Sequence, residues 1–298
     1  LLAAATPDRG WTLPLLKAAG PDLDFICIHQ YWLGLWQQND TPDYLTCILH
    51  SEGPERTIRG VIDVLREAGC RGRIQIAFDE WNLRGWHHPG FPRKEVGPQD
   101  DPAAAALIAR RERNAVASQY TMADALFSAS FLNACLRHAE DVGMANIAPL
   151  VNTRGPLFVH PGGIVKRSTF HVLAMYANLL QDRVGTLDVD AGSLAHAGGS
   201  IPVVDAVATV DRTGSAWSVA LVNRHPDRPV SCALTWGDWR PDGTYSATVL
   251  AGDSADAFND VEHPDRVAPR SESVPIVKGT IELAPHALTI VRIPRDRP

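Results

Sequence analysis

The apolar pattern of this chain changes character once, near residue 181, and that change constrains the fold more than any other feature. Before it, strand-like and helix-like periodicities alternate. Asp24–His29 is a nearly continuous apolar run, as expected for a strand buried on both faces of a parallel sheet. Ile58, Val61, Ile62 and Leu65 recur on one helical face, which predicts a helix over Pro54–Ala68 with Gly69 as its C-terminal cap. Ile74, Ile76 and Phe78 alternate, which predicts a strand over Arg73–Phe78. Thr121 and Asp124 have the spacing of a capping box and open a helix to about Ala139, its core face being Leu126, Phe131, Leu132, Cys135 and Leu136. Leu1–Ala5 and Ala145–Val151 read as further strands, and Phe170–Leu180 as a further helix.

After residue 181 helical periodicity disappears. Short alternating segments follow at Ala206–Val210, Ala216–Asn223, Val230–Leu234, Tyr245–Val249, Thr280–Leu283 and Leu288–Ile293, separated by Gly, Pro, Asp and Asn. That is the pattern of a β-sandwich. Two domains are expected, 1–181 and 182–298. In the first, the connections at 30–52 and 81–118 are long and follow strands, whereas the links from helix to strand are short. A β/α barrel with its active face at the strands' C-terminal ends has this asymmetry, and a doubly wound open sheet shares it.

Composition narrows the partners. The chain has 298 residues, a net charge of −6 and no basic stripe, which argues against nucleic acid and against an anionic membrane surface. Its apolar runs fall short of the ~18 residues that span a bilayer. Cys27, Cys47, Cys70, Cys135 and Cys232 form neither close pairs nor a metal-ligand spacing, so reduced thiols in a reducing, cytoplasmic compartment are expected. The opening Leu1-Leu2-Ala-Ala-Ala lacks the charged region of a signal peptide and reads as the middle of a strand, so the chain is expected to be a fragment whose start lies upstream.

The chemistry concentrates at Asp79-Glu80-Trp81-Asn82, where the alternating run meets two carboxylates. A carboxylate at a strand's C-terminal end with an aromatic ring behind it is how a β/α barrel places a catalytic acid beside a sugar platform, and a solvated acidic turn is the plain alternative. Trp32, Trp36, Trp81 and Trp86 cluster around the two long connections. Tryptophan more often packs a core than binds a ligand, and of these Trp86 or Trp36 is the candidate platform. His50 and His87-His88 lack the companions of a metal site, and no cofactor is expected.

Taken together, the segments Asp24–Tyr31, Phe78–Asn82, Asp124–His138, Ala145–Asn152, Lys166–Tyr176 and Ala257–Asp260 resemble the α-L-arabinofuranosidases of glycoside hydrolase family 51 along the whole chain. The resemblance implies a partial (β/α)8 barrel, its strands five to eight, followed by a jelly-roll-like β-sandwich. It also implies removal of terminal arabinofuranosyl groups from arabinan- or arabinoxylan-type oligosaccharides and polysaccharides with retention of configuration. Such chemistry needs two carboxylates about 5–5.5 Å apart, one to attack and one to protonate the leaving oxygen. By the resemblance the nucleophile is Glu80, with His29 and Tyr31 beside it, and Asp79 supports it from a strand position expected to face the other way.

The family's acid/base is a glutamate following an asparagine, and no Asn-Glu pair occurs in this sequence. Glu52, Glu55, Glu95 and Glu112 lack a preceding apolar strand, so the acid/base is expected to have been lost with an absent N-terminal half, leaving the chain inactive alone. Arg84 stands where many relatives have tryptophan, and Pro149 where they have glutamine, which bears on the substrate rather than the reaction type. The alternatives are a non-catalytic carbohydrate-binding remnant, a retaining glycosidase acting on xylosides or β-glucans, or a metal-dependent hydrolase. Homo-oligomers are common in the family.

Overall fold

The computed structural model describes residues 1–35, 42–86, 102, 105–106 and 120–294; the side chains of residues 35 and 86 fall outside it. Four strands, β1 (Leu2–Ala5), β2 (Phe25–Leu35), β3 (Gln75–Trp86) and β4 (Val142–Ala145), form one sheet in the order β1-β2-β3-β4. Every neighbouring pair is parallel. Helices occupy the crossovers, as parallel pairing requires: α1 (Arg9–Ala19), α2 (Tyr44–Ile48), α3 (Gly53–Glu67) and α4 (Met122–Arg137), with α5 (Ser168–Leu179) after β4.

Local chemistry fixes the helix starts. The Asp8 carboxylate accepts from the Trp11 amide at 2.9 Å and opens α1, a helix that the apolar pattern did not announce. Pro54 lies in the first turn of α3, where its missing N–H costs nothing. Gly69, just past that helix, takes φ = 69°, a left-handed conformation that glycine adopts without penalty. At α4 the capping box forms in both directions: the Thr121 hydroxyl accepts from the Ala123 amide at 3.3 Å, and Asp124 accepts from the Thr121 amide at 3.1 Å.

Two sequence expectations need correction. The strands expected over Asp24–His29 and Arg73–Phe78 do not stop there. They run on together to Leu35 and Trp86, pairing Gln30 with Trp81, Tyr31 with Asn82 and Leu33 with Arg84. The carboxylates therefore sit within a paired ribbon rather than at a strand's end. The strand expected over Ala145–Val151 instead occupies Val142–Ala145. The Asn146 amide makes the last bond to β3, to the Phe78 carbonyl at 2.7 Å, and by Leu150 and Val151 the chain is exposed; Pro149, with no N–H to give, could not extend the ladder there.

The faces of the parallel sheet are unequal. Ile26, Ile28, Ile76 and Phe78 are fully buried beneath the helices. The opposite face carries Leu2, 53% exposed, with Phe25 and Gln75 half-exposed, and rises to His29 and Glu80. A cavity of about 1200 Å³ runs along the outer edge of β4 between α4, α5 and β7 (Arg183–Gly185), and its lining includes none of His29, Tyr31, Glu80 or Arg154. Parallel sheets are ordinarily covered on both faces.

Two antiparallel pairs, β5 (Leu157–His160) with β6 (Gly163–Lys166) and β8 (Ser193–His196) with β9 (Gly199–Pro202), flank the transition. Beyond it come β10 (Val204–Val210), β11 (Ala216–Asn223), β12 (Val230–Ala233), β13 (Gly243–Leu250), β14 (Arg270–Ile276), β15 (Thr280–Leu283) and β16 (Ala287–Pro294). The order β14-β13-β16-β11-β10-β7 makes a six-stranded sheet, and β12 pairs with β15 as a second, smaller layer. Val219, Leu221, Ile281, Leu283, Val291 and Ile293 fill a core of their own in this β-sandwich.

Helix α4 is the pivot between the two halves and is buried around most of its circumference. One side meets the parallel sheet, where Phe131 stacks on Trp81 at 3.8 Å between ring centroids and Phe78 meets it edge-on at 5.1 Å. The same apolar cluster extends to Val207, Ala220, Val222, Leu288 and Ile290 of the sandwich sheet. A polar seam runs beside it. The fully buried Arg224 donates to Glu52 at 2.6 Å and to the Ser130 hydroxyl at 2.9 Å, and Asp205 takes Asn133 at 3.0 Å and Arg137 at 2.8 Å.

Candidate active site

The site is built on a break in strand register. Ile28 of β2 pairs with Phe78 of β3, but His29 pairs with Glu80, so Asp79 is an extra residue at a bulge. Regular alternation would send Asp79 and Glu80 to opposite faces. The bulge instead brings both to one imidazole: His29 Nε2 lies 3.2 Å from Asp79 Oδ1, and Nδ1 lies 3.6 Å from Glu80 Oε2. The Asp79 contact lacks in-line geometry, because Oδ1 is sealed from solvent and takes no hydrogen bond. Below, Cys27 is buried, and burial followed by the nearby Asp79 carboxylate pushes its thiol up to about 12.

The two oxygens of Glu80 have different surroundings. The Tyr31 hydroxyl donates to Oε1. Burial, and then this bond to a carboxylate, raise the Tyr31 phenol above its ordinary range, so it remains a donor. Arg154 Nη2 also faces Oε1, at 3.4 Å, and its guanidinium lies over the Tyr31 ring at 4.7 Å from the centroid. Oε2 lies 3.6 Å from His29 Nδ1. Sequence reading nominated Glu80, His29 and Tyr31, and the fold brings all three together; it missed Arg154, 74 residues further on. No spacing rule joins Arg154 to Glu80, because a loop conformation makes the contact.

Of the tryptophans, Trp81 is fully buried in its stack on Phe131, and Trp32 packs on Phe127 and Phe131 at 5.2 and 5.8 Å. Gly53 makes room for Trp32: a Cβ there would lie 2.2 Å from the indole. Both are core residues. Trp36, His87, His88, Glu95 and Glu112 lie outside the described residues, as does the side chain of Trp86.

Glu52 and Glu55 have other work. Glu52 pairs with Arg224, and Glu55 accepts from Arg59 at 2.7 Å and lies 2.7 Å from His138. For Glu55, burial works upward but is outweighed by the bonds from His138 and Arg59 and the charge of Arg137, which hold it at about 2. A group so acidic is a poor proton donor near neutrality. Among the described residues no set of three or more His, Cys, Asp or Glu side chains is arranged to hold a metal ion.

Arg84 is buried and bound bidentately to Asp124 at 2.8 and 2.7 Å. It joins the ribbon above the sheet to the start of α4, and is a structural tie rather than a sugar contact.

A parallel β/α sheet carrying Asp79 and Glu80, continued by a β-sandwich, defines the class: part of a β/α barrel joined to a β-sandwich domain. A family model, the α-L-arabinofuranosidase C-terminal domain, matches residues 79–287, and the chain belongs to that family, within glycoside hydrolase family 51. It is 28% identical to the probable α-L-arabinofuranosidase C of Aspergillus niger over 94% of this chain and 51% of that protein. The intracellular exo-α-(1→5)-L-arabinofuranosidase of Streptomyces lividans is 29% identical over 87% of this chain and 38% of its own length. The chain thus spans about half the length, or less, of these curated relatives. Among solved structures, the family 51 arabinofuranosidase from Xanthomonas axonopodis superposes with a TM-score of 0.78 at 18% identity, covering 98% of this chain and 57% of that one. That likeness concerns the fold.

Proposed function

We propose that this chain carries the nucleophile half of a retaining α-L-arabinofuranosidase. Its substrates are terminal α-L-arabinofuranosyl groups of arabinan- or arabinoxylan-type glycans, and Glu80 attacks the anomeric carbon. The observation that supports the reading best is the asymmetric holding of Glu80: Tyr31 and Arg154 donate to Oε1, while Oε2 lies 3.6 Å from His29 Nδ1. A nucleophile must be ionised and held still, and two donors on one oxygen do both. Tyr31 and His29 are positioning residues, and Trp86 a sugar contact. By the family pattern, an Asn-Glu pair that this sequence does not contain, the general acid/base comes from a segment outside this chain; Glu52 and Glu55 are committed to ion pairs elsewhere. The parallel sheet, residues 1–181, is then part of a larger barrel, and residues 182–298 are a β-sandwich domain. An intracellular location fits the names of the Streptomyces and Halalkalibacterium relatives.

The test is covalent trapping in the complete protein that contains this chain. An aryl α-L-arabinofuranoside with a strongly acidic phenol glycosylates the nucleophile without help from a general acid, and acid quenching within the first turnover denatures the protein before water releases the sugar. Peptide mass spectrometry should find it on Glu80 and find nothing in Glu80→Gln. A label on another carboxylate, or product of inverted configuration by NMR, would refute the reading.

A further inference from the structure

Arg154 is not part of the strand pattern, and the fold goes to some length to place it. The chain turns sharply after Val151: Asn152 and Thr153 both take left-handed conformations, at φ = 55° and 37°, where non-glycine residues are uncommon. Gly155 donates back to the Asn152 carbonyl at 2.5 Å, and a Cβ on Gly155 would lie 2.5 Å from the Leu150 backbone. The turn is clamped from beneath by Arg167, 1% exposed, which donates to the Thr153 and Gly155 carbonyls at 3.1 and 2.5 Å. From the side, Asn82, two residues past Glu80 on β3, donates to the Arg154 carbonyl itself at 3.3 Å. The loop is thus tied to the strand that carries the carboxylate. Unfavourable backbone conformations held by surrounding structure gather at functional sites.

We infer that Arg154 is a positioning residue for the nucleophile: it fixes Glu80 Oε1 together with Tyr31, so that Oε2 is the oxygen that attacks. This rests on the reading of Glu80 as nucleophile. The guanidinium lies between the Tyr31 ring and Oε1, with side-chain exposures of 18% for Arg154 and 28% for Glu80, so the pair is partly shielded from water. Through Nη2 and through its planar face Arg154 engages both Glu80 and Tyr31, which a lysine would do less well. In the step itself an Oε2 electron pair forms the bond to the anomeric carbon. The glycosidic C–O bond breaks, and its electron pair leaves on the aryl oxide, which needs no proton.

The experiment measures the rate of Glu80 labelling by the activated aryl arabinofuranoside in the complete protein, with arabinose affinity and thermal midpoint measured beside it. Arg154→Met should slow labelling by about 100-fold, the scale of a misplaced reacting group, while arabinose affinity changes by less than about threefold. Arg154→Lys should recover part of the rate, and guanidinium added to Arg154→Ala should restore it in a saturable manner. If Arg154→Met proves unstable, rescue of the alanine variant under conditions where it is folded decides. Labelling at the wild-type rate in Arg154→Met, with Glu80→Gln inert, would overturn the inference and leave Glu80 as nucleophile. Failure of the unmodified protein to label at Glu80 would overturn both.

Discussion

Replacing Asp124 by asparagine tests whether the first half of the molecule is fastened through one buried charge pair. Arg84 and Asp124 are 1% and 0% exposed, and Asp124 receives two parallel hydrogen bonds from the guanidinium. The third nitrogen of that group, Nη1, has no partner among the described residues, so the stabilisation of the buried cation falls on Asp124. Asparagine keeps the size of the side chain and an oxygen for the Thr121 cap, but it removes the charge and turns one of the two acceptors for Arg84 into a donor. A buried ion left without its partner costs about 3–5 kcal/mol. At about 2–4 °C per kcal/mol for a chain of this order, the midpoint should fall by roughly 6–20 °C. The double variant Arg84→Met, Asp124→Leu removes both charges. Replacing a buried pair by apolar groups is neutral or stabilising by about 1–4 kcal/mol. Losing the cap costs about 1 kcal/mol. The double variant should therefore be the more stable by at least about 2 kcal/mol. Urea unfolding followed by tryptophan fluorescence is the assay, because Trp32 and Trp81 lie in the core beneath this pair. A loss under about 1 kcal/mol in Asp124→Asn, or a double variant as weak as the single, would show that the pair is not the fastening described.

Three further outcomes follow from the same structure. Arg224→Met leaves Glu52 and Asp205 facing each other across the seam without their shared cation, and should cost about 3 kcal/mol or more in urea unfolding; an unchanged midpoint would remove the seam as a source of stability. Acidification should weaken the fold in two steps. Burial, and then Lys166, hold His171 at about 4 against an ordinary 6.5, so its contribution is full above pH 6.5 and lost between 6.5 and 4. Glu55, at about 2 against 4.5, loses its contribution between pH 4.5 and 2. Each step is worth at most roughly 3 kcal/mol, and His171→Phe should flatten only the upper one; equal pH slopes in variant and parent would contradict the assignment. Finally, the 298-residue chain expressed alone should self-associate, since among the described residues no strand pairs with the outer edges of β1 and β4 and Leu2 on β1 is 53% exposed. Sedimentation as a single monomeric species at micromolar concentration would count against that.

Much of this protein was legible in its sequence, because local interactions set much of it. The capping box at Thr121–Asp124, the glycine after α3 and the alternating segments after residue 181 involve neighbours in the chain, and each formed close to where the pattern placed it. The resemblance reached further, and nominated three side chains, Glu80, His29 and Tyr31, that lie within contact of one another. What tertiary structure alone decided involves residues whose meeting depends on register or on a loop. The bulge at Asp79 turns two adjacent carboxylates toward one histidine, against the alternation that a strand pattern implies. β4 ends at Ala145, well short of the apolar run's end, because pairing with β3 stops near Phe78 whatever the hydropathy beyond it. Arg84 stood in the sequence only as a replacement for a tryptophan of relatives, and nothing announced that Asp124 would be brought to it or that Arg167 and Asn82 would clamp the turn at Arg154. A periodicity measures which face of an element is apolar; it carries no information about which polar groups two distant elements will hold within hydrogen-bonding reach, as Tyr31 and Arg154 hold Glu80 here.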